Sequence, residues 1–394
     1  PEIRELLEKY EGLSPNVKVK YVDPDKDAIL AQQFGAKDGD IVIQYGAQHH
    51  VTQNGTEEGL TQAILKVNRA ALPTVCFTSG HGEASIDAAP EAPKSYSFAK
   101  KGLENDGFES KTVELNAGVP KDCGILVIAG PEQKFTDNEA AAVDQYLSSG
   151  GKSIWLLDPV ISDSNRSNAP IRVLDTGLEA VGKKWGVDLG RNFILEKQVQ
   201  LFRGVQVVLT ARVSDYGDHP VVEPLKGRQT VFERARSVKK DPTFTGTALE
   251  VLKTSGDGVT WAQSDVDALF RHQKVAFSPG DMQGPVPIGV VSEKDLEIDG
   301  QKKKAQLIVI GDSDFASNPF IQSFEFNFDL MLNAVSWLAG EQEQISIRPK
   351  MFQSSAVELT PTQANTIFYV VIIGLPMLVL TFGLNLWWYR RRKG

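Results

Sequence analysis

The sequence predicts an α/β protein: a small N-terminal unit, a larger doubly wound parallel sheet with a β-rich insertion, and one C-terminal transmembrane helix. Three observations predict it. Short apolar runs alternate with helical segments from residue 71 onward. Between Glu358 and Arg390 the chain carries no charged residue, and 367–386 within that stretch is nearly continuous apolar sequence. The chain has 394 residues, more than one ordinary domain holds.

Residues 2–10 carry Ile3, Leu6 and Leu7 at helical spacing, and 17–22 (VKVKYV) alternates as a strand. A helix over 25–34 is closed by Gly35. Residues 41–45 and 49–52 form a hairpin around Gly46, and a helix over 57–68 follows with Thr56 as N-cap. This α-β-α-β-β-α order over 1–70 resembles a thioredoxin-like unit without its first strand. The unit holds no Cys-x-x-Cys, so thioredoxin-type redox chemistry is not expected.

In the next stretch, 74–78 (TVCFT) is an apolar strand leading into Ser79-Gly80-His81-Gly82-Glu83. A helix over 95–105, a strand over 108–115 and a buried-type strand over 124–129 follow. Thr136 with Glu139 three residues on is a capping box for a helix to Ser149, ended by Gly150-Gly151. Residues 153–157 form a strand ending at Asp158-Pro159. The insertion, about 160–285, holds a helix over 173–185 and several β-like runs. Strands over 288–291 and 305–310 resume the alternation, the second ending in Gly311-Asp312-Ser313-Asp314, and a helix over 327–339 closes the domain at about 345. Residues 346–365 are a linker.

The carboxyl ends of strands in a doubly wound sheet line the ligand crevice. His81, Glu83, Asp158, Asp312, Ser313 and Asp314 are therefore the ligand-binding candidates. Such a set suits acid–base chemistry or metal binding. It equally supplies what strand-to-helix turns and N-caps require. Cys76 lies within a strand and Cys123 just before one, so each reads as a small core residue or as half of a disulfide, and neither as a nucleophile on an elbow. The chain has no Gly-x-Ser-x-Gly and no phosphate-binding Gly-x-x-x-x-Gly-Lys-Ser/Thr loop. His49-His50 is a pair on an alternating strand, with one member facing outward. Lys302-Lys303-Lys304 reads as a solvated hairpin turn. Arg234 and Arg236 share a strand face, as a ligand clamp or as surface.

Residues 366–389 are read as the membrane helix. Trp387, Trp388 and Tyr389 form its interfacial belt, and the basic tail of 390–394 opens with Arg390, Arg391 and Arg392. The positive-inside rule places that tail in the cytoplasm and the larger part outside it. The formal charge of -8 becomes -12 without the four basic tail residues. With a pI near 5.3, this argues against nucleic acid as a partner. A mean hydropathy of -0.20 hides the anchor by averaging it with an acidic ectodomain. Such an ectodomain needs export, so a hydrophobic segment is expected before Pro1.

Several stretches together are similar to one family. They are TSGHGE, VIAGPEQKFTDNEAAAVDQYLSSGGKSIWLLDP, VIGDSDFASN, NFDLMLNAVSWLAGEQEQISIRPK and the terminal Trp-Trp-Tyr-Arg-Arg-Arg. They resemble the GldG family, gliding-motility-associated auxiliary proteins of ABC transporters, in order and spacing over most of the chain. The resemblance implies a bacterial inner-membrane accessory subunit with a periplasmic ectodomain. It implies an ABC ATPase, a multi-span permease and a second GldG-like subunit as partners, alongside the lipid bilayer. It implies a central GIFT-like domain, related to flavodoxin-like and amidotransferase-like sheets, without catalytic residues or a cofactor. The expectation is a non-catalytic transport subunit that binds a substrate or a cell-envelope polymer. The alternative is a membrane-tethered hydrolase or glycan-active enzyme using the strand-end His, Asp and Glu loops.

Overall fold

Apolar five- and seven-residue runs cannot bury themselves alone, and here they pair side by side into one sheet. The computed structural model describes residues 2–24, 26–46, 48–68, 73–162, 170–200, 204–256, 258–271, 275–340 and 369–393. The first unit comprises α1 (Glu2–Leu13), α2 (Ala28–Phe34), β1 (Ile41–Tyr45), β2 (Gln48–Thr52) and α3 (Glu57–Asn68). The hairpin β1–β2 pairs Ile43 with His50. His49 is exposed and rests edge-on against Phe34, with ring centroids 5.1 Å apart. Residues 17–22, expected as a strand, carry no regular secondary structure and join no ladder among the described residues. Among the described residues this unit therefore holds a two-stranded sheet.

The larger part begins with β3 (Thr74–Thr78), α4 (Ser97–Asn105), β4 (Ser110–Val113), β5 (Cys123–Ala129), α5 (Asp137–Ser148) and β6 (Lys152–Leu156). It continues through α6 (Glu179–Lys184), β7 (Val187–Leu189), β8 (Phe193–Gln200), β9 (Gly204–Val208), β10 (Thr210–Tyr216), β11 (Thr230–Glu233) and β12 (Val238–Lys240). Then come β13 (Thr247–Thr254), β14 (Thr260–Gln263), α7 (Val266–Phe270), β15 (Met282–Gln283), β16 (Pro287–Ile298), β17 (Gln301–Ile310), α8 (Asn318–Ser323) and α9 (Glu325–Ala339).

The sheet is nine-stranded, in the order β11-β10-β13-β16-β17-β6-β5-β3-β4. From β17 to β4 every neighbour is parallel. From β17 to β11 every neighbour is antiparallel. Only the parallel half matches the expected doubly wound sheet. The 160–285 stretch supplies three antiparallel strands to this sheet, all four strands of a second sheet of order β15-β14-β8-β9, and the pair β12-β7.

The inner parallel strands β3, β5 and β6 are buried on both faces. Val75, Phe77, Ile125, Val127 and Ile154 face one core with α4 and α9. Cys76, Leu126, Ile128 and Trp155 face the other with α5 and α6. This two-sided burial is why these runs read as continuously apolar. Cys76 and Cys123 both lie in the second core and are joined as a disulfide, their Cα atoms 5.8 Å apart.

Three local readings change. The helix expected over 173–185 forms only as α6, because Val173 pairs with Ile161 in a bridge. Lys302, Lys303 and Lys304 lie on β17, and the tight turn is Asp299-Gly300, both with positive φ. An Asp-Gly pair suits that two-residue turn. Arg234 and Arg236 share no strand, since β11 ends at Glu233 and Arg234 takes φ 56°.

Residues 341–368, which contain the expected linker and the first residues of the membrane helix, lie outside the described residues. A π-helical turn, Tyr369–Gly374, leads into α10 (Leu375–Lys393). The span Tyr369–Arg392 is 24 residues long, with a mean hydropathy of 2.1 in its most apolar window. That length and composition suffice to cross a bilayer.

Candidate functional site

The chain leaves β3 through Gly80 and Gly82, whose φ values of 116° and 80° reverse its direction. The loop then fastens to the one after β5. Ala84 N donates to Ala129 O at 2.8 Å, and Glu132 N and Gln133 N donate to His81 O at 2.8 and 3.0 Å. Strand order diverges between β3 and β5, with β4 lying to one side and β6 to the other. This is the switch point at which open α/β sheets place ligands. Lys94 spans its mouth, with Nζ 2.7 Å from Glu132 Oε1 and 3.5 Å from the carbonyls of Gly82 and Gly130.

His81 and Glu83 turn towards α5. His81 Nε2 lies 3.2 Å from Glu139 Oε2, and its ring lies 4.3 Å from that of Phe135. Glu83 Oε2 accepts His81 N at 2.6 Å, and Glu83 Oε1 lies 3.9 Å from His81 Nδ1. Glu139 is the N3 residue of the α5 capping box and also accepts Thr136 N at 2.8 Å. Burial works to raise the Glu139 carboxyl, but the Thr136 hydrogen bonds and His81 outweigh it and hold the pKa below its ordinary value. The capping box is thus extended by an imidazole that ties the β3 loop to the helix.

Asp158, Asp312, Ser313 and Asp314 form a second cluster at the ends of β6 and β17. Ser313 donates twice to Asp158, from N at 2.6 Å and from Oγ at 2.5 Å. Asp312 accepts Asp314 N at 2.8 Å and Glu233 N at 3.1 Å, which fastens the end of β11 to the loop. The buried Tyr96 phenol donates to Ser313 O. Gly130, at φ 64°, leaves room for this packing, because a Cβ there would stand 2.3 Å from Ser313 Oγ and 3.1 Å from Asp158 Oδ2.

Crowding sets the electrostatics. Burial, then the Asp314 charge, pushes Asp158 up to about 6 against the Ser313 hydrogen bonds. Burial with Asp158 and Asp314 drives Asp312 well above the usual carboxylate range. Asp314 is also raised by burial, with Lys94 and Arg234 offsetting part of the rise. Arg236 is wholly buried. Its Nε donates to Gly190 O at 2.6 Å and its backbone N to Gly311 O at 2.8 Å. Burial lowers its pKa to about 10, with Glu179 and then Asp158 among the charges opposing that fall. Arg236 is therefore neither surface nor an open clamp.

The six candidates thus sit at one sheet edge but in two networks, His81 and Glu83 in one and the remaining four in the other. Tyr96, Gly130, Glu139 and Arg236 complete these networks and were not singled out as partners from sequence. For Glu139 the signal was present in the capping box. Among the described residues no group of three or more His, Cys, Asp and Glu side chains is placed to hold a metal ion.

On α10, Trp387, Trp388 and Tyr389 are all exposed. Arg391 stacks on Trp387 at 5.1 Å and Arg392 on Trp388 at 4.2 Å.

No curated protein matches the chain. Among solved structures, it is similar to the mmIFT52 N-terminal domain, at 18% identity and TM-score 0.46, over 68% of this chain and 97% of that one. A ThuA-like protein from Bacteroides uniformis matches at 18% identity and TM-score 0.37, over 69% and 94%. The exo-beta-1,4-mannosidase Op5Man5 from an Opitutaceae bacterium matches at 11% identity and TM-score 0.32, over 70% and 37%. A family model described as "ABC-type uncharacterized transport system" matches residues 72–336. That stretch runs from β3 through nearly all of α9 and carries both strand-end networks, so the chain belongs to this family of auxiliary components of ABC-type transport systems.

Proposed function

We propose that the chain is a non-catalytic, membrane-anchored auxiliary subunit of an ABC transporter, of the GldG type. Its larger part lies outside the cytoplasm and its basic tail inside. The observation that carries this reading is the family match over residues 72–336. The exposed apolar span Tyr369–Arg392 supports the anchor. The basic run after it supports the orientation. The Cys76–Cys123 disulfide supports an oxidising compartment for the ectodomain. The partners under this reading are an ABC ATPase, a multi-span permease and a second GldG-like subunit. The domain division is a thioredoxin-like 1–70, a GIFT-like 71–345, a linker and an anchor from 366. The crevice at the β3 and β5 ends is the proposed place for a transported substrate or an envelope polymer.

The hydrolase reading has less support. It needs His81 to act with the aspartates, whereas His81 is engaged with Glu139 and Phe135. The aspartates are occupied by Ser313 and by backbone amides.

Reconstitution tests the proposal. The partner ATPase and permease are placed in nanodiscs with and without the chain, and ATP hydrolysis is followed. The chain alone should hydrolyse no ATP, and its addition should change the rate of the complex. A rate identical with and without it would contradict the proposal.

A further inference from the structure

The carboxyl end of α10 combines a groove, two fixed cations and a strongly one-signed charge. Thr381, Leu384, Asn385, Trp387 and Trp388 line a groove of about 440 Å³. Thr381, Leu384, Asn385 and Trp388 follow helical spacing, so the groove runs along the axis from apolar sequence towards the basic tail. Thr381 Oγ1 donates to Leu378 O and Asn385 Nδ2 to Thr381 O, each at 2.9 Å, which satisfies these donors within the helix. One turn further on, Arg391 and Arg392 lie against the Trp387 and Trp388 rings. Stacking on an indole limits the freedom of each guanidinium before any ligand arrives. After Glu358 the chain has no acidic residue, and the tail carries four consecutive cations.

We propose that this end of α10 is a binding site for an anionic phospholipid. The phosphate sits between the guanidiniums of Arg391 and Arg392, and an acyl chain lies in the groove beside Trp388. Charge complementarity selects the class. A planar guanidinium offers phosphate two parallel N–H donors. A zwitterionic headgroup would also bring an ammonium up to four cations, and an anionic headgroup without an ammonium, such as phosphatidylglycerol, would not. The proposal rests on the reading of α10 as a membrane anchor.

The test uses the full chain in nanodiscs of equal phosphatidylcholine and phosphatidylglycerol, with retained lipids counted by native mass spectrometry. The wild type should retain phosphatidylglycerol over phosphatidylcholine by about tenfold. The R391Q/R392Q variant should fall to near parity, and Arg390→Gln should keep most of the preference. Glycerol 3-phosphate added to phosphatidylcholine-only discs should not bind, which separates a lipid headgroup from free phosphate. Parity in the wild type would overturn the proposal. So would a preference unchanged in R391Q/R392Q, or lost equally in Arg390→Gln. Alkaline extraction distinguishes the underlying reading. A chain released from membranes by carbonate overturns the anchor and the lipid site together, whereas a retained chain without lipid preference overturns the lipid site alone.

Discussion

Ser313 donates both its backbone N–H and its hydroxyl to Asp158, at 2.6 and 2.5 Å, and so locks the end of β17 to the end of β6. These two strands are parallel neighbours at the boundary between the parallel and antiparallel halves of the sheet. The clamp is therefore a fastening point between two strand regimes. Ser313→Ala should lower unfolding stability by about 1–2 kcal/mol, since it removes one donor to a charged-type acceptor. Urea unfolding of the purified chain measures this.

Asp158 gives the clamp a pH dependence. Its folded-state pKa, raised mainly by burial to about 6, lies above the value of 3.8 it starts from. The folded state thus binds the proton more tightly, and this contribution to stability is fully present below about 4. It declines as pH rises and is gone once pH passes about 6. The wild type should lose on the order of 2 kcal/mol relative to Asp158→Asn between those limits. Parallel melting curves for the two proteins from pH 4 to 7 check the sign; a difference that does not vary with pH would refute the assignment.

Gly130 is required twice, by its φ of 64° and by the 2.3 Å approach a Cβ would make to Ser313 Oγ. Gly130→Ala should therefore cost about 3 kcal/mol, from the left-handed backbone penalty and from overpacking together. Gly35, a helix C-cap with a similar φ of 62°, has nothing within 4 Å of an added Cβ. Comparing Gly130→Ala with Gly35→Ala by thermal melting separates steric contact from backbone strain, and the Gly130 variant should melt lower.

The Cys76–Cys123 disulfide joins β3 to the start of β5 across a sequence separation of 47. The C76A/C123A variant should unfold about 2–4 kcal/mol more easily. Thiol alkylation of protein purified without reductant should label neither cysteine, even after denaturation; labelling of both in unreduced denatured protein would show that the bond is absent.

His81→Ala should destabilise the chain by about 1–2 kcal/mol through loss of the contact with Glu139 and the Phe135 stack. It should leave association with the transport partners intact. Loss of an enzymatic activity with an unchanged melting temperature would instead support the hydrolase alternative.

The legible parts of this chain are the local ones. The capping box of Thr136 and Glu139 needs only a three-residue spacing, and it forms as the sequence predicts. The buried runs at β3, β5 and β6 carry their two-sided burial in their composition. Anchor length and the aromatic-basic ending are likewise contiguous signals.

What stayed hidden depends on distant partners. The antiparallel half of the sheet requires β10 to find β13, and β13 to find β16, and no local pattern records those pairings. Residues 17–22 alternate well, yet no ladder receives them. At the site, the end of each strand was readable but the grouping was not. His81 pairs with Glu139, in the helix after β5, and so separates from Asp312 and Asp314. Arg236 looked like half of a surface pair, because its burial depends on the carbonyls of Gly190 and Gly311.

Affinity purification of the full chain from its native membranes in mild detergent, after brief cross-linking, tests whether it works within a transporter. An ABC ATPase and a multi-span permease should be recovered with the chain, and deleting Tyr369–Arg392 should remove them. Recovery of the chain free of both, from membranes that contain the transporter, would contradict that role.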